Sequence, residues 1–379
     1  MWIKFPEGRY TLTGEPLATR KPNAPFNRMV FAAAHVVADP FSNNDPTGAP
    51  ALDWPRTLAY RTHLLDLGFG IAEAMDTSQR GMGLDWPTAL ELIRRTLDHA
   101  GSRVGQIFSG VGTDHLLASD ARSIEDVVRA YLEQLHAVQK LGGRVILMAS
   151  RALVRVAQSP ADYDKVYARV LAEADHPVVL HWLGEMFDPA LKAYWGTDDF
   201  PTAMETALRM IEANKTHVDG IKISLLDDQK EILMRRRLPD GVKMYTGDDF
   251  NYPALIAGDE QGCSHALLGI FDAIGPVASA AFAALGKGDV KKYHALMAPT
   301  VPLSRLIFRT PTQFYKTGIV FMAWLNGHQD HFIMVNGAQA MRPLPYFVEV
   351  FKLADQAQLL RDPELAMRRM KQMLAIYGA

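Results

Sequence analysis

A lysine in the apolar half of a strand-like run is the residue whose type and setting point most directly to chemistry. The run Val218-Asp219-Gly220-Ile221-Lys222-Ile223-Ser224 follows a helical segment at 200–215 rich in Ala, Met and Leu. A strand that follows a helix in an alternating pattern is expected to be buried on both faces, as in parallel sheets. An ammonium there is costly unless it is paired, or deprotonated and used. A desolvated lysine of lowered basicity is the nucleophile that forms Schiff bases with carbonyl compounds. The plain structural alternative is that Lys222 closes an edge strand and points into water.

Such a lysine needs a scaffold, and the rest of the chain supplies a regular one. Strand-like runs are expected at 29–34, 70–74, 104–108, 145–148, 177–181, 220–223, 242–245 and 262–266. Between them stand helix starts, with Asp as N-cap and Pro in the first turn at Asp53-Trp54-Pro55 and Asp85-Trp86-Pro87, and a capping pattern at Ser123-Ile124-Glu125-Asp126. Helices at 159–174, 200–215 and 253–257 continue the rhythm. Eight strands alternating with helices predict a (β/α)₈ TIM barrel, an α/β fold. An open doubly wound sheet fits less well, because Val36-Val37-Ala38-Asp39-Pro40 after the first strand carries no glycine-rich phosphate turn. Residues 1–27 read as an N-terminal hairpin arm and 28–276 as the barrel. Residues 277–379 read as an all-helical C-terminal extension.

Composition narrows the class. The chain has 379 residues and a formal net charge of -2, with no basic patch for nucleic acid and no acidic tail. The single cysteine, Cys263, rules out an internal disulfide and a Cys-rich zinc site, and is expected to be a small buried hydrophobe. The N-terminus lacks the order of a signal peptide, and no apolar run reaches the roughly 18 residues of a membrane span. A cytoplasmic enzyme with no nucleic-acid or membrane partner is expected. Arg235-Arg236-Arg237 reads as a solvated face or a subunit contact.

In a barrel the active site lies at the C-terminal ends of the strands. Those ends present His35 and Asp39, then Glu73, Asp76, Thr77 and Ser78, then Asp114 and His115. They continue with Ser150 and Arg151, His181 and Glu185, Lys222, Asp248 and Asp249, and His265. Loops are polar in any case, and Asp39, Asp114 and Asp249 are read as ordinary loop residues. His181, Lys222 and His265 stand out because they lie within or just past apolar runs.

These segments resemble the dihydrodipicolinate synthase / N-acetylneuraminate lyase superfamily of class I aldolases, and within it the DUF993 group. Gly220-Ile221-Lys222 is similar to that superfamily's Schiff-base strand, and Thr246-Gly247-Asp248-Asp249 to its S-G-D-D segment. Gln261-Gly262-Cys263-Ser264-His265 through Ile274-Gly275-Pro276, and Gly110-Val111-Gly112-Thr113, resemble two further segments, so that the likeness covers about residues 28–325. The departures are specific. Met75-Asp76-Thr77-Ser78-Gln79-Arg80 stands in place of G-T-T-G-E, and Ala149-Ser150-Arg151 in place of the P-Y-Y that carries a catalytic tyrosine. His181-Trp182-Leu183-Gly184 replaces Y-N-x-P.

The resemblance implies a lyase, an aldolase or dehydratase, acting on a small 2-oxo acid or keto-sugar through Lys222, with no cofactor beyond the covalent iminium. Proton transfer then falls to His181, Glu185 or Arg151, imidazole being first choice because it titrates near neutrality. Thr77, Ser78, Asp76 and Arg151 would grip the carboxylate or hydroxyls, and Glu185, Gly247, Asp248 and His265 would complete the pocket. A divalent metal held by some of His35, Glu73, His115, His181, Glu185 and His265 is the alternative, although no tight His-x-His or His-x-x-x-His pair occurs. A ligand-binding barrel without activity is the third reading. The apolar surface of residues 303–325 suggests a homo-oligomer.

Overall fold

The computed structural model describes residues 1–18 and 21–379. Strands β1 (Trp2–Phe5) and β2 (Gly8–Thr11) pair antiparallel as an isolated hairpin. Eight parallel strands then close a barrel: β3 (Val30–Ala33), β4 (Gly70–Glu73), β5 (Ile107–Val111), β6 (Arg144–Leu147), β7 (Val178–Leu183), β8 (Val218–Ser224), β9 (Lys243–Thr246) and β10 (His265–Leu268). Each strand pairs with its sequence neighbour, and β10 returns to β3, so no barrel strand has a free edge.

The outer ring is α1 (Trp54–Asp66), α2 (Trp86–Ala100), α3 (Ile124–Lys140), α4 (Arg151–Val156), α5 (Pro160–Leu171), α6 (Phe200–Ala213), α7 (Asp228–Arg235), α8 (Tyr252–Ala257) and α9 (Ile270–Leu285). The caps read in the sequence are made: Asp53 and Asp85 accept from backbone N–H groups of the first turn, and Ser123 forms a capping box with Asp126. Strand alternation divides the core. Ile221, Ile223, Leu180 and Trp182 pack outward beneath the helices, whereas Phe31, Phe108, Ile146, Val179, Tyr245 and Leu267 fill the barrel interior. That inner plug leaves side chains nearer the C-terminal ends of β7 and β8 facing the mouth.

The chain continues as helices α10 (Val290–Met297), α11 (Thr300–Ile307), α12 (Tyr315–Leu325), α13 (Leu344–Gln356) and α14 (Pro363–Ile376). Helix α9 runs unbroken through Pro276, so the extension grows out of the eighth barrel helix. Helix α12 is buried along its whole length. The N-terminal arm is held against α13, where Asp355 accepts from the Tyr10 hydroxyl and from Thr13 and Gly14 N–H.

Candidate active site

Lys222 lies in β8 between His181 of β7 and Tyr245 of β9, its register partners on either side. It is buried, and its amine has no hydrogen-bond or ion-pair partner among the described residues. Burial lowers its pKa, against the charges of Asp76 and Asp249, which raise it. The space for the side chain comes from β9, where a Cβ at Gly247 would lie 2.8 Å from Lys222 Cε and 2.2 Å from Ser224 Oγ. Glycine is required there by close approach.

The two carboxylates that feel Lys222 come from different elements. Asp76 opens the short 3₁₀ turn Asp76–Ser78 beyond β4 and stays half-buried. The turn is entered through Ala74 at φ 53, a left-handed conformation unusual for alanine, while Glu73 Oε1 accepts from Ala74 N at 2.8 Å. Asp249 is buried at the end of β9 and accepts from Ile270 N, the first residue of α9, at 2.9 Å. Burial pushes Asp249 up to about 7, against the opposing pull of that bond and of Lys222. A weakened base and a weakened acid therefore share one desolvated chamber.

His181 is buried with Nε2 3.2 Å from Ser224 Oγ, and burial together with the Lys222 charge pushes its pKa well below the usual histidine range. It is a neutral imidazole in the barrel interior. A cleft of about 110 Å³ reaches it from outside, lined by Asp76, Arg80, Thr113, Met148, Arg151, His181 and Asp188 among others. A larger hollow of about 440 Å³ lies between residues 17, 18 and 21–25 on one side and α9–α10 on the other, and no strand end among the described residues lines it.

The family model for protein of unknown function (DUF993) matches residues 6–379. The chain belongs to this family. No curated protein matches the sequence. Among solved structures the DUF993 chain is similar to YagE, a prophage protein of the dihydrodipicolinic acid synthase family from E. coli K12 in complex with pyruvate. That likeness has 17% identity and a TM-score of 0.68 over 88% of this chain and 99% of YagE. It is also similar to 4-hydroxy-tetrahydrodipicolinate synthase from Methylacidiphilum fumariolicum SolV, with 18% identity and a TM-score of 0.63 over 93% and 98% of the two chains. Dihydrodipicolinate synthase from Acinetobacter baumannii, complexed with pyruvate, gives 16% and 0.63 over 88% and 99%. The DUF993 barrel thus shares the TIM-barrel fold of these dihydrodipicolinate synthase structures.

The structure sorts the residues singled out in the sequence. Asp76 and His181 line the cleft, Lys222 lies behind them against His181 and Gly247, Thr77 is buried next to Asp76, and Arg151 stands exposed on the rim with Nε on Asp188. Ser78 lies in the same turn, buried, with its Oγ donating to the Ala34 carbonyl at 2.7 Å just past the end of β3. Glu185 is exposed. Asp248 is engaged by the turn that leads into α8, accepting from Phe250 N, Asn251 N and Asn251 Nδ2, and it is the neighbouring Asp249 whose charge Lys222 feels. His265 begins β10 instead of ending it and takes a bond from Met29 N at the opposite mouth. Burial, with Lys243 and Arg28, pushes its pKa down to about 4.

The six residues weighed as metal ligands do not converge. His35 bonds Asp272, Glu73 grips Arg61, and His115 meets Gln134 and Glu133. No cluster of three His, Cys, Asp or Glu side chains placed to hold a metal occurs among the described residues. Arg80 was missed in the sequence, and it is a tie: its guanidinium bonds Asp114, Gln134 and the carbonyls of Ala74 and Gly110. Tyr315 and Lys316 were missed as well. They reach the mouth from α12, and no local pattern of the extension marks them.

Proposed function

We propose that the protein is a class I lyase whose Lys222 forms a Schiff base with a small 2-oxo acid or keto-sugar. The observation that carries this reading is the setting of Lys222: an unpaired amine buried in the barrel, pressed against Gly247, with Asp76 and Asp249 as its charged neighbours. Desolvation favours the neutral amine that addition to a carbonyl requires. Asp249, held near neutrality at about 7, can keep a proton in the free enzyme and yield it as positive charge develops on the nitrogen. Asp76, Thr77 and Arg151 are the groups available to hold a substrate carboxylate or hydroxyl. His181, neutral and bonded to Ser224, bounds the chamber on the β7 side.

The reaction needs no further cofactor, because the iminium nitrogen is itself the electron sink. A cytoplasmic setting and assembly as a homo-oligomer belong to the same proposal; no helix among the described residues is long and apolar enough to cross a membrane. Sedimentation measures the assembly.

The test is intact-mass spectrometry after borohydride reduction with pyruvate, 2-oxobutanoate and dihydroxyacetone. The wild type is expected to gain one reduced adduct, mapped to Lys222, and Lys222→Ala to gain none. Equal labelling of the two proteins would overturn the proposal.

A further inference from the structure

We infer that Tyr315, delivered by the C-terminal extension, is the proton-transfer residue of the Lys222 chamber, with Thr77 as its positioning partner. This rests on the Schiff-base reading. Tyr315 is the first residue of α12 and is buried, 3% exposed. Its hydroxyl lies 2.8 Å from Thr77 Oγ1, and either oxygen can donate to the other. The ring is fixed by stacking on Phe308 at 4.3 Å and by the edge of Phe187 at 6.1 Å.

One packing contact and two links through neighbouring residues tie this phenol to the chamber. A Cβ at Gly269 would lie 3.2 Å from the Tyr315 ring and 3.3 Å from Thr77 Oγ1, so the two side chains close over the start of α9. The next residue, Ile270, bonds Asp249. Asp76 immediately precedes Thr77, and Asp76 and Asp249 are charged neighbours of both Lys222 and Tyr315. Burial and the carboxylates of Asp76, Asp249 and Asp272 push the phenol's pKa well up, while the Thr77 bond pulls it down, so the free enzyme holds Tyr315 protonated. The gap at Ala149-Ser150-Arg151, where a tyrosine was expected and is missing, thus has a phenol available from an element outside the barrel.

The chemistry balances with these groups. The neutral Lys222 amine adds to the carbonyl carbon, and one of its protons passes to the carbonyl oxygen, giving a carbinolamine. Tyr315 donates its phenolic proton to that hydroxyl, which leaves as water while the nitrogen lone pair forms the C=N bond. The resulting tyrosinate is held by the Thr77 hydroxyl and offset by the iminium charge. It removes a proton from the adjacent carbon; that C–H pair becomes the carbon–carbon double bond and the C=N pair returns to nitrogen. Enamine and neutral tyrosine result.

The experiment follows solvent deuterium entering pyruvate, 2-oxobutanoate and dihydroxyacetone by proton NMR, beside borohydride trapping after prolonged incubation. It compares the full-length wild type, Tyr315→Phe, Thr77→Val and Lys222→Ala. Tyr315→Phe is expected to reach the wild-type extent of Lys222 adduct while exchange falls about 10²-fold or more. Thr77→Val, which keeps Tyr315 in place, should lower exchange about tenfold, the worth of one hydrogen bond. Adduct with wild-type exchange in both variants overturns the role of Tyr315 and leaves the Schiff base standing. No adduct on the wild type with any of the three compounds overturns both.

Discussion

Glu231 is buried between α7 and the strands, bonded through Oε1 to Ser264 Oγ at 2.7 Å, while Oε2 has no partner. Burial pushes its pKa from the ordinary 4.5 up to about 8; Ser264, Thr246 and Arg235 oppose the shift and Asp248 adds to it. Between those two values the unfolded chain has lost a proton that the folded chain keeps, so stability falls as pH rises from 4.5 towards about 8. Glu231→Gln removes that slope. Urea midpoints at about pH 5 and about pH 9 should differ less in the variant than in the wild type, with the gain at the higher pH. An unchanged difference would show that Glu231 stays ionised. Single residues were also the hardest thing to read in the sequence. Asp248 and Asp249 are adjacent and chemically identical, and the backbone alone decides which one braces the turn before α8 and which one enters the chamber.

The elements themselves were largely legible, because apolar runs and capping residues are local signals. Misreadings came where a turn imitates a strand. Residues 101–106 form a 3₁₀ segment, so the third strand begins at Ile107. Residues 262–264 precede β10, and this shift carries His265 from one mouth of the barrel to the other. Ion pairs between elements leave no local trace at all. Glu73 ends β4 and receives Arg61 of α1 through two bonds of 2.9 and 2.8 Å, with Thr96 of α2 donating at 2.6 Å. Both charges are completely buried, and removing one leaves the other unpaired, at a cost of about 3–5 kcal/mol. Arg61→Met is therefore expected to lower the urea midpoint sharply while the folded fraction still forms the Lys222 adduct. Loss of the adduct without loss of stability would instead place Glu73 in the chemistry.

At the scale of the whole molecule, the helical extension was foreseen as helices, but its contribution to the barrel mouth was not, since sequence spacing does not show that Tyr315 meets Thr77. The arm is joined to the same extension. A two-stranded hairpin is marginal by itself, and this one is anchored by Phe5 packed edge-on against Phe351 at 5.9 Å and by the carboxylate of Asp355. That carboxylate accepts from Tyr10 at 2.8 Å, Thr13 N at 2.9 Å and Gly14 N at 3.1 Å. Asp355→Ala leaves the Thr13 and Gly14 N–H groups without an acceptor and the Tyr10 hydroxyl with the Lys352 carbonyl at 3.4 Å, a loss on the order of 2–3 kcal/mol that falls on the arm first. Amide hydrogens of β1 and β2 should then exchange at least tenfold faster, while those of β7 and β8 keep wild-type protection and Lys222 still traps its adduct. Asp355→Asn keeps one acceptor oxygen for the Tyr10 hydroxyl and should fall between. If β7 and β8 lost protection in step with the arm, arm and barrel would unfold as one unit, and the hairpin would have to be counted as part of the support for the active site.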